Sequence, residues 1–193
     1  MPLPTDLGVK VQVDGINAPL YAVYPGQINF QVPFGTLVDH DAQVVVVRGG
    51  VSSSPVTVPV RLYAPAVYMN ATTGDPIVRH YPDNALIAKS NPARANDILL
   101  VYVTGFGDVA SAPASGAVAA AQPLPSTVDT VMASIGGVPA TVLYGGLTPG
   151  SVGLGQVNIQ LPNPLPAGSG NTLPLVISVA GFQSKTVQLP VAR

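Results

Sequence analysis

The chain repeats itself, and the repeat decides what it can fold into. Residues 11–33 read VQVDGINAPLYAVYPGQINFQVP, and residues 133–162 read ASIGGVPATVLYGGLTPGSVGLGQVNIQLP. Gly15 matches Gly137, and Tyr21 is matched with Tyr144. Gly26-Gln27-Ile28-Asn29 matches Gly155-Gln156-Val157-Asn158, and Val32-Pro33 matches Leu161-Pro162. Further on, Gly50-Val51 matches Gly181-Phe182, and Pro59-Val60 matches Pro190-Val191. The separation is 122 at Gly15, 129 at Gln27 and 131 at Gly50. Its largest step marks an insertion around Leu147–Gly153, expected as a longer loop. Upstream, Pro2-Leu3-Pro4-Thr5 matches Pro123-Leu124-Pro125-Ser126.

Each copy reads as strands and turns. Val9-Lys10-Val11-Gln12-Val13 alternates apolar and polar, which buries one face of a strand and wets the other. Asp14-Gly15 is a hairpin turn. Gln27–Val32 alternates again, with Ile28, Phe30 and Val32 on one face and Gln27, Asn29 and Gln31 on the other. The four valines within Gln43–Arg48 predict a strand buried on both faces. Val56–Leu62 follows, and Leu175–Val179 and Thr186–Val191 repeat the last two strands. Pro59 and Pro190 inside their final strands imply edges or bulges. Composition agrees. Glu is absent, Lys occurs three times, and Gly 20 and Pro 21 supply helix breakers.

The copies are unequal. Residues 63–122 lie between them and run from Tyr63–Tyr68, a linker entering a strand, to an Ala-Pro-Ser-rich surface segment at Ser111–Gln122. Between these, Ile77–Tyr81 and Ala85–Lys89 flank a turn at Pro82-Asp83-Asn84. Asp97–Thr104 (DILLVYVT) is a strong strand closed by Gly105-Phe106-Gly107. The second module, 63–193, is therefore the size of a complete seven-stranded sandwich. The first, 1–62, has no counterpart of Ile77–Gly107 and begins partway through its own fold. Half a sandwich cannot cover its core. The chain is expected either to be part of a longer protein or to be completed by strands from another subunit.

Chemistry is sparse. Cys is absent, so disulfides, thiolate metal sites and cysteine nucleophiles are excluded. Net charge is −1, which offers no basic surface for nucleic acid. Only 9% of residues are charged, against roughly 25% in a typical soluble domain. Such a surface repels its neighbours weakly. No apolar run reaches the ~18 residues of a membrane helix. His40, within Asp39-His40-Asp41, reads as a solvated loop, and His80 as a surface face. No nucleophile elbow is present, and Asp75 and Asp83 flank turns where Asp is ordinary. Asn70-Ala71-Thr72 fits the glycosylation pattern only as a short motif. The chain reads as non-enzymatic, with no catalytic, metal-ligating or cofactor-binding residue and no cofactor. One polar strip stands out. Tyr24, Gln27, Asn29 and Gln31 form a candidate interface or ligand strip, and Gln156, Asn158 and Gln160 repeat its amides. Tyr21, Tyr63, Tyr68 and Tyr81 are further aromatic candidates for stacking or for an interface.

Across VDGINAPLYAVYPGQINFQVPFGT, NPARANDILLVYVTGFGDV, the 133–162 stretch and PLVISVAGFQSKTVQLPV, the chain resembles the Solibacter-type C-terminal domain family of secreted acidobacterial proteins. That resemblance implies tandem immunoglobulin-like modules outside the cell and brings no catalytic residue with it. The family pattern carries a further segment before the PLPT position, similar to DILLVYVTGFG. The sequence therefore predicts an all-β protein of two tandem immunoglobulin-like β-sandwich modules, the first incomplete. The expected role is that of an extracellular structural subunit of a surface assembly or filament, its partners being copies of itself. The alternative is a carbohydrate-binding or surface-sorting module of a larger secreted protein, with polysaccharide as partner.

Overall fold

A computed structural model describes residues 2–168 and 170–192. The chain is all-β, with sixteen strands and no helix among the described residues. It divides into two compact units. The first comprises Met1–Leu62, Ser111–Pro125 and Thr148–Gly153, and the second comprises the rest. The leading segment of the first unit ends at Leu62, and two segments of 63–193 group with the first unit and not with the second.

In the first unit, β1 (Val9–Val13), β2 (Ile16–Asn17), β5 (His40–Arg48), β6 (Val51–Ser52) and β7 (Val56–Val60) form one antiparallel sheet. β3 (Leu20–Tyr24) and β4 (Gln27–Phe30) form a separate two-stranded ladder. Val11, Val13, Ala18, Leu20 and Ala42 make its buried core, with Val23, Ile28, Phe30, Val44, Val46 and Val60 packed partly against them. The β1–β2 hairpin turns at Asp14-Gly15 as its sequence requires. The valine strand differs from expectation. Val44 to Val47 are half-buried rather than enclosed on both faces: Val44 and Val46 turn to the core, and Val45 and Val47 to the outer face.

The second unit contains β8 (Tyr63–Val67), β9 (Val78–Tyr81), β10 (Ile98–Phe106), β11 (Val131–Ile135), β12 (Val138–Leu147), β13 (Gly155–Gln160), β14 (Thr172–Val179), β15 (Phe182–Gln183) and β16 (Val187–Pro190). Hydrogen bonding runs in the order β15-β14-β11-β12-β13-β10-β8, with β16 on β14 and β9 on β10. The strands at the two ends of that order meet: β8 packs against β14 and β15. Tyr63 of β8 and Phe182 of β15 stack at 5.4 Å between ring centroids. The interior so enclosed is built from aliphatic side chains. Leu99, Val101, Val157, Ile159, Leu175, Ile177 and Leu189 are all fully buried.

The two units are copies at the level of individual registers. Val13↔Val44 on β1 and β5 repeats as Ile135↔Leu175 on β11 and β14. Val44↔Val56 repeats as Leu175↔Val187. Even the side-chain clips recur. The Val46 N–H donates to Ser53 Oγ, and the Ile177 N–H donates to Ser184 Oγ, both at 3.1 Å. The ladder from β3 to β4 shifts register between Leu20 and Ala22, and that from β12 to β13 shifts between Val142 and Tyr144. The shared bulge corrects one pairing drawn from sequence. Asn29 lies opposite Ala22 and Asn158 opposite Tyr144, so Tyr144 corresponds to Ala22 and not to Tyr21. Tyr21 takes the bulge position of Leu143, and both side chains are exposed.

Candidate functional site

What separates the copies is the neighbour of β4. In the second unit β13 lies between β12 and β10, with Val157 opposite Val101 and Ile159 opposite Leu99. The Leu161 N–H donates to the Asp97 carbonyl at 2.9 Å. Backbone polar groups alternate along a strand, so Val157 and Ile159 turn theirs towards β10 as well. Their counterparts are Ile28, Phe30 and Val32. The Gln31 N–H donates to the Pro19 carbonyl on the β3 side, which turns Ile28 and Phe30 the other way. No strand among the described residues occupies that side. β4 therefore presents a free edge.

The side chains tell the same story. Leu161 is 2% exposed and Val32 is 51% exposed. Leu189 of β16 is 0% exposed, and Val58, its counterpart on β7, is 42% exposed. Val187 is buried, whereas Val56 is exposed. Phe182 stacks on Tyr63 while still 54% exposed, and Val51 in its place is 73% exposed. An open cleft of about 810 Å³ runs between the two layers of the first unit. Val9, Val11, Val44 and Val46 form its floor, and Val23, Ile28, Phe30 and the Tyr24–Gln27 turn form its far wall. It lies where β10 and β8 lie in the second unit.

The predicted polar strip splits. Tyr24 and Gln27 line the cleft and are exposed. Gln27 Nε2 donates to Asn29 Oδ1, a bond repeated at 2.7 Å by Gln156 and Asn158. Gln31 is withdrawn from any surface role. It is buried, and its Oε1 accepts from the Gly116 N–H at 2.7 Å. A Cβ at Gly116 would press on the Pro19 ring at 3.0 Å, so only glycine brings that N–H close enough. Tyr21 donates its hydroxyl to the Val152 carbonyl, and the Phe34 N–H donates to Ser115 Oγ at 2.9 Å. The segment expected as a bare surface stretch, and the insertion expected as a longer loop, thus pack on the β3–β4 ladder and pin it. No periodic pattern marks either segment, so sequence reading missed their role.

The remaining candidates fall elsewhere. His40 opens β5, with Nε2 3.3 Å from Asp14 Oδ2, and no cluster of three metal-ligating side chains exists among the described residues. His80 is not on a surface face. It sits in β9 with Nδ1 3.4 Å from Asp97 Oδ2, and its Nε2 is buried without a hydrogen-bond partner. The tyrosines are divided between the units. Tyr21 and Tyr24 lie in the first, and Tyr63, Tyr68 and Tyr81 in the second. Tyr63 is engaged internally, donating to Asp129 Oδ2 at 2.6 Å. That bond, then burial and the charges of Asp129 and Asp108, raise its pKa above the ordinary tyrosine value.

Comparison with protein-family models, with curated proteins and with solved structures finds no match. No described helix is long and apolar enough to cross a membrane.

Proposed function

We propose that this chain is a non-enzymatic structural subunit of an extracellular assembly, in which strands from a neighbouring subunit complete the first module. One observation carries the reading: the free edge of β4 borders an uncovered apolar cleft at the place where the second unit holds its own strands. A free edge supplies backbone hydrogen bonds, and alternate apolar pockets select side chains; together these make a strand acceptor. Left open, the same features invite uncontrolled association. Filling the cleft takes the remaining exposed surface of its half-buried valines, Ile28 and Phe30 out of water, at about 25 cal/mol per Å² of apolar area. Weak surface charge removes the usual repulsion between copies. The immunoglobulin-like character, the extracellular setting and membership of the Solibacter-type family form part of the same proposal. They rest on the sequence resemblance.

Electron microscopy and native mass measurement of the purified chain, alone and with its native partners, test this reading. The expected result is a filament or ordered oligomer that is lost on Val58→Asp. A stable monomer under every condition, in native material as well as recombinant, contradicts it.

A further inference from the structure

The second unit shows what the cleft is shaped to receive. Gly155 on β13 lies opposite Val103, and the Phe106 ring occupies the space its Cβ would need. Glycine is required there by the close approach of β10, first its Phe106 ring and then its Val103 carbonyl, and not by a positive φ. Its counterpart, Gly26, lines the cleft. Gly26 also lacks a positive φ, and a Cβ built on it meets nothing within 4 Å. The first unit therefore keeps, in its β3–β4 turn, a glycine with open space around it whose counterpart in the second unit is crowded.

We propose that Gly26 is the seat for an aromatic ring on the incoming strand, which runs antiparallel to β4 in the register of β10. The inference rests on the strand-acceptor reading and specifies the donor. Aliphatic side chains at the places of Leu99 and Val101 face Phe30 and Ile28. A carbonyl at the place of Asp97 accepts the Val32 N–H. Then comes the aromatic residue, at the place of Phe106. Among the described residues Arg48 is the one charged side chain lining the cleft, and an acidic residue on the donor complements it. Asp97 and Asp108 flank β10 in this way.

Exchange of β10 between copies does not meet the need. The described residues contain one β10, used in its own second unit, so each exchange opens one module for every module it closes. The donor is a further segment of this pattern, additional to the β10 that the second unit keeps.

A synthetic peptide of residues 97–108 is the probe, with backbone amide exchange and calorimetry as readouts. The peptide is expected to slow exchange at Ile28, Phe30 and Val32 by at least a hundredfold. Phe106→Ala in the peptide, or Gly26→Leu in the protein, is expected to weaken binding at least tenfold. Gly26→Leu should leave the melting temperature of the free chain unchanged, because its side chain enters open space. If the peptide protects β4 and both substitutions leave its affinity unchanged, the aromatic seat is overturned and the strand acceptor stands. A second format joins the peptide to Pro2 through a flexible linker, which raises its effective concentration to about millimolar. If β4 still exchanges freely there, the acceptor reading fails, and the seat fails with it.

Discussion

Val32 and Leu161 hold the same position in two copies of one ladder, and only Leu161 has a strand beside it. The Leu161 N–H is bonded to Asp97 and its side chain is buried. Val32 is left half in water. The pair contrasts an aliphatic side chain covered by a neighbouring strand with one that is not. Leu161→Ala is expected to destabilise the second unit by about 2–5 kcal/mol, the range for a buried leucine. Val32→Ala is expected to change stability by less than about 0.5 kcal/mol. Urea denaturation of both variants measures the contrast.

The paired glycines give a second contrast. Gly155→Ala drives a methyl group into the Phe106 ring and the Val103 carbonyl and should cost about 1–3 kcal/mol through overpacking. Gly26→Ala meets nothing and should be neutral in the free chain. Equal losses in the two variants would show that Gly26 is already covered in the isolated molecule.

The exposed valines of β7 predict a change in association without a change in folding. Val58→Asp places a charge on a side chain that is already exposed, so the melting temperature should stay within a few degrees. Binding of a fluorescent apolar dye should fall, and so should the mass of any assembly in light scattering. Leu189→Asp, the same substitution at a fully buried position, should unfold the second unit.

Tyr63 supplies a test by pH. Its pKa is raised above the ordinary value of 10.0, first by its hydrogen bond to Asp129. A raised folded-state pKa means stability is intact below pH 10 and declines as pH rises through the folded pKa. Ultraviolet titration should therefore show Tyr63 ionising late, as should Tyr144, whose hydroxyl burial also pushes up. Asp129→Asn should move Tyr63 back towards its usual midpoint and delay alkaline unfolding.

Much of the fold is legible in the sequence because the copies check each other. The Gly-Gln-x-Asn core fixes equivalence, and alternation assigns Ile28 and Phe30 to the inner face. The steps in the separation from 122 to 131 are those of the strand registers. What was lost lay where local pattern is silent. The bulge at Tyr21 slips the register by one residue, so matching tyrosine to tyrosine misleads. Gln31 looks like its neighbours in a polar strip, and only the close approach of Gly116 shows that it is an internal clamp. His80 reads as surface until β9 places it beside Asp97. The cleft itself was legible as a missing strand, whereas its aromatic seat was not. Gly26 looks like any turn glycine until Gly155 is seen under Phe106.

Amide hydrogen exchange at Ile28, Phe30 and Val32, compared between the isolated chain and its native assembly, tests the central claim most directly. Free edges exchange quickly and paired edges slowly. The account predicts fast exchange in the isolated chain and protection in the assembly comparable to that of Val157, Ile159 and Leu161. Fast exchange at all three positions in the assembled state would contradict it, and so would protection already present in the monomer.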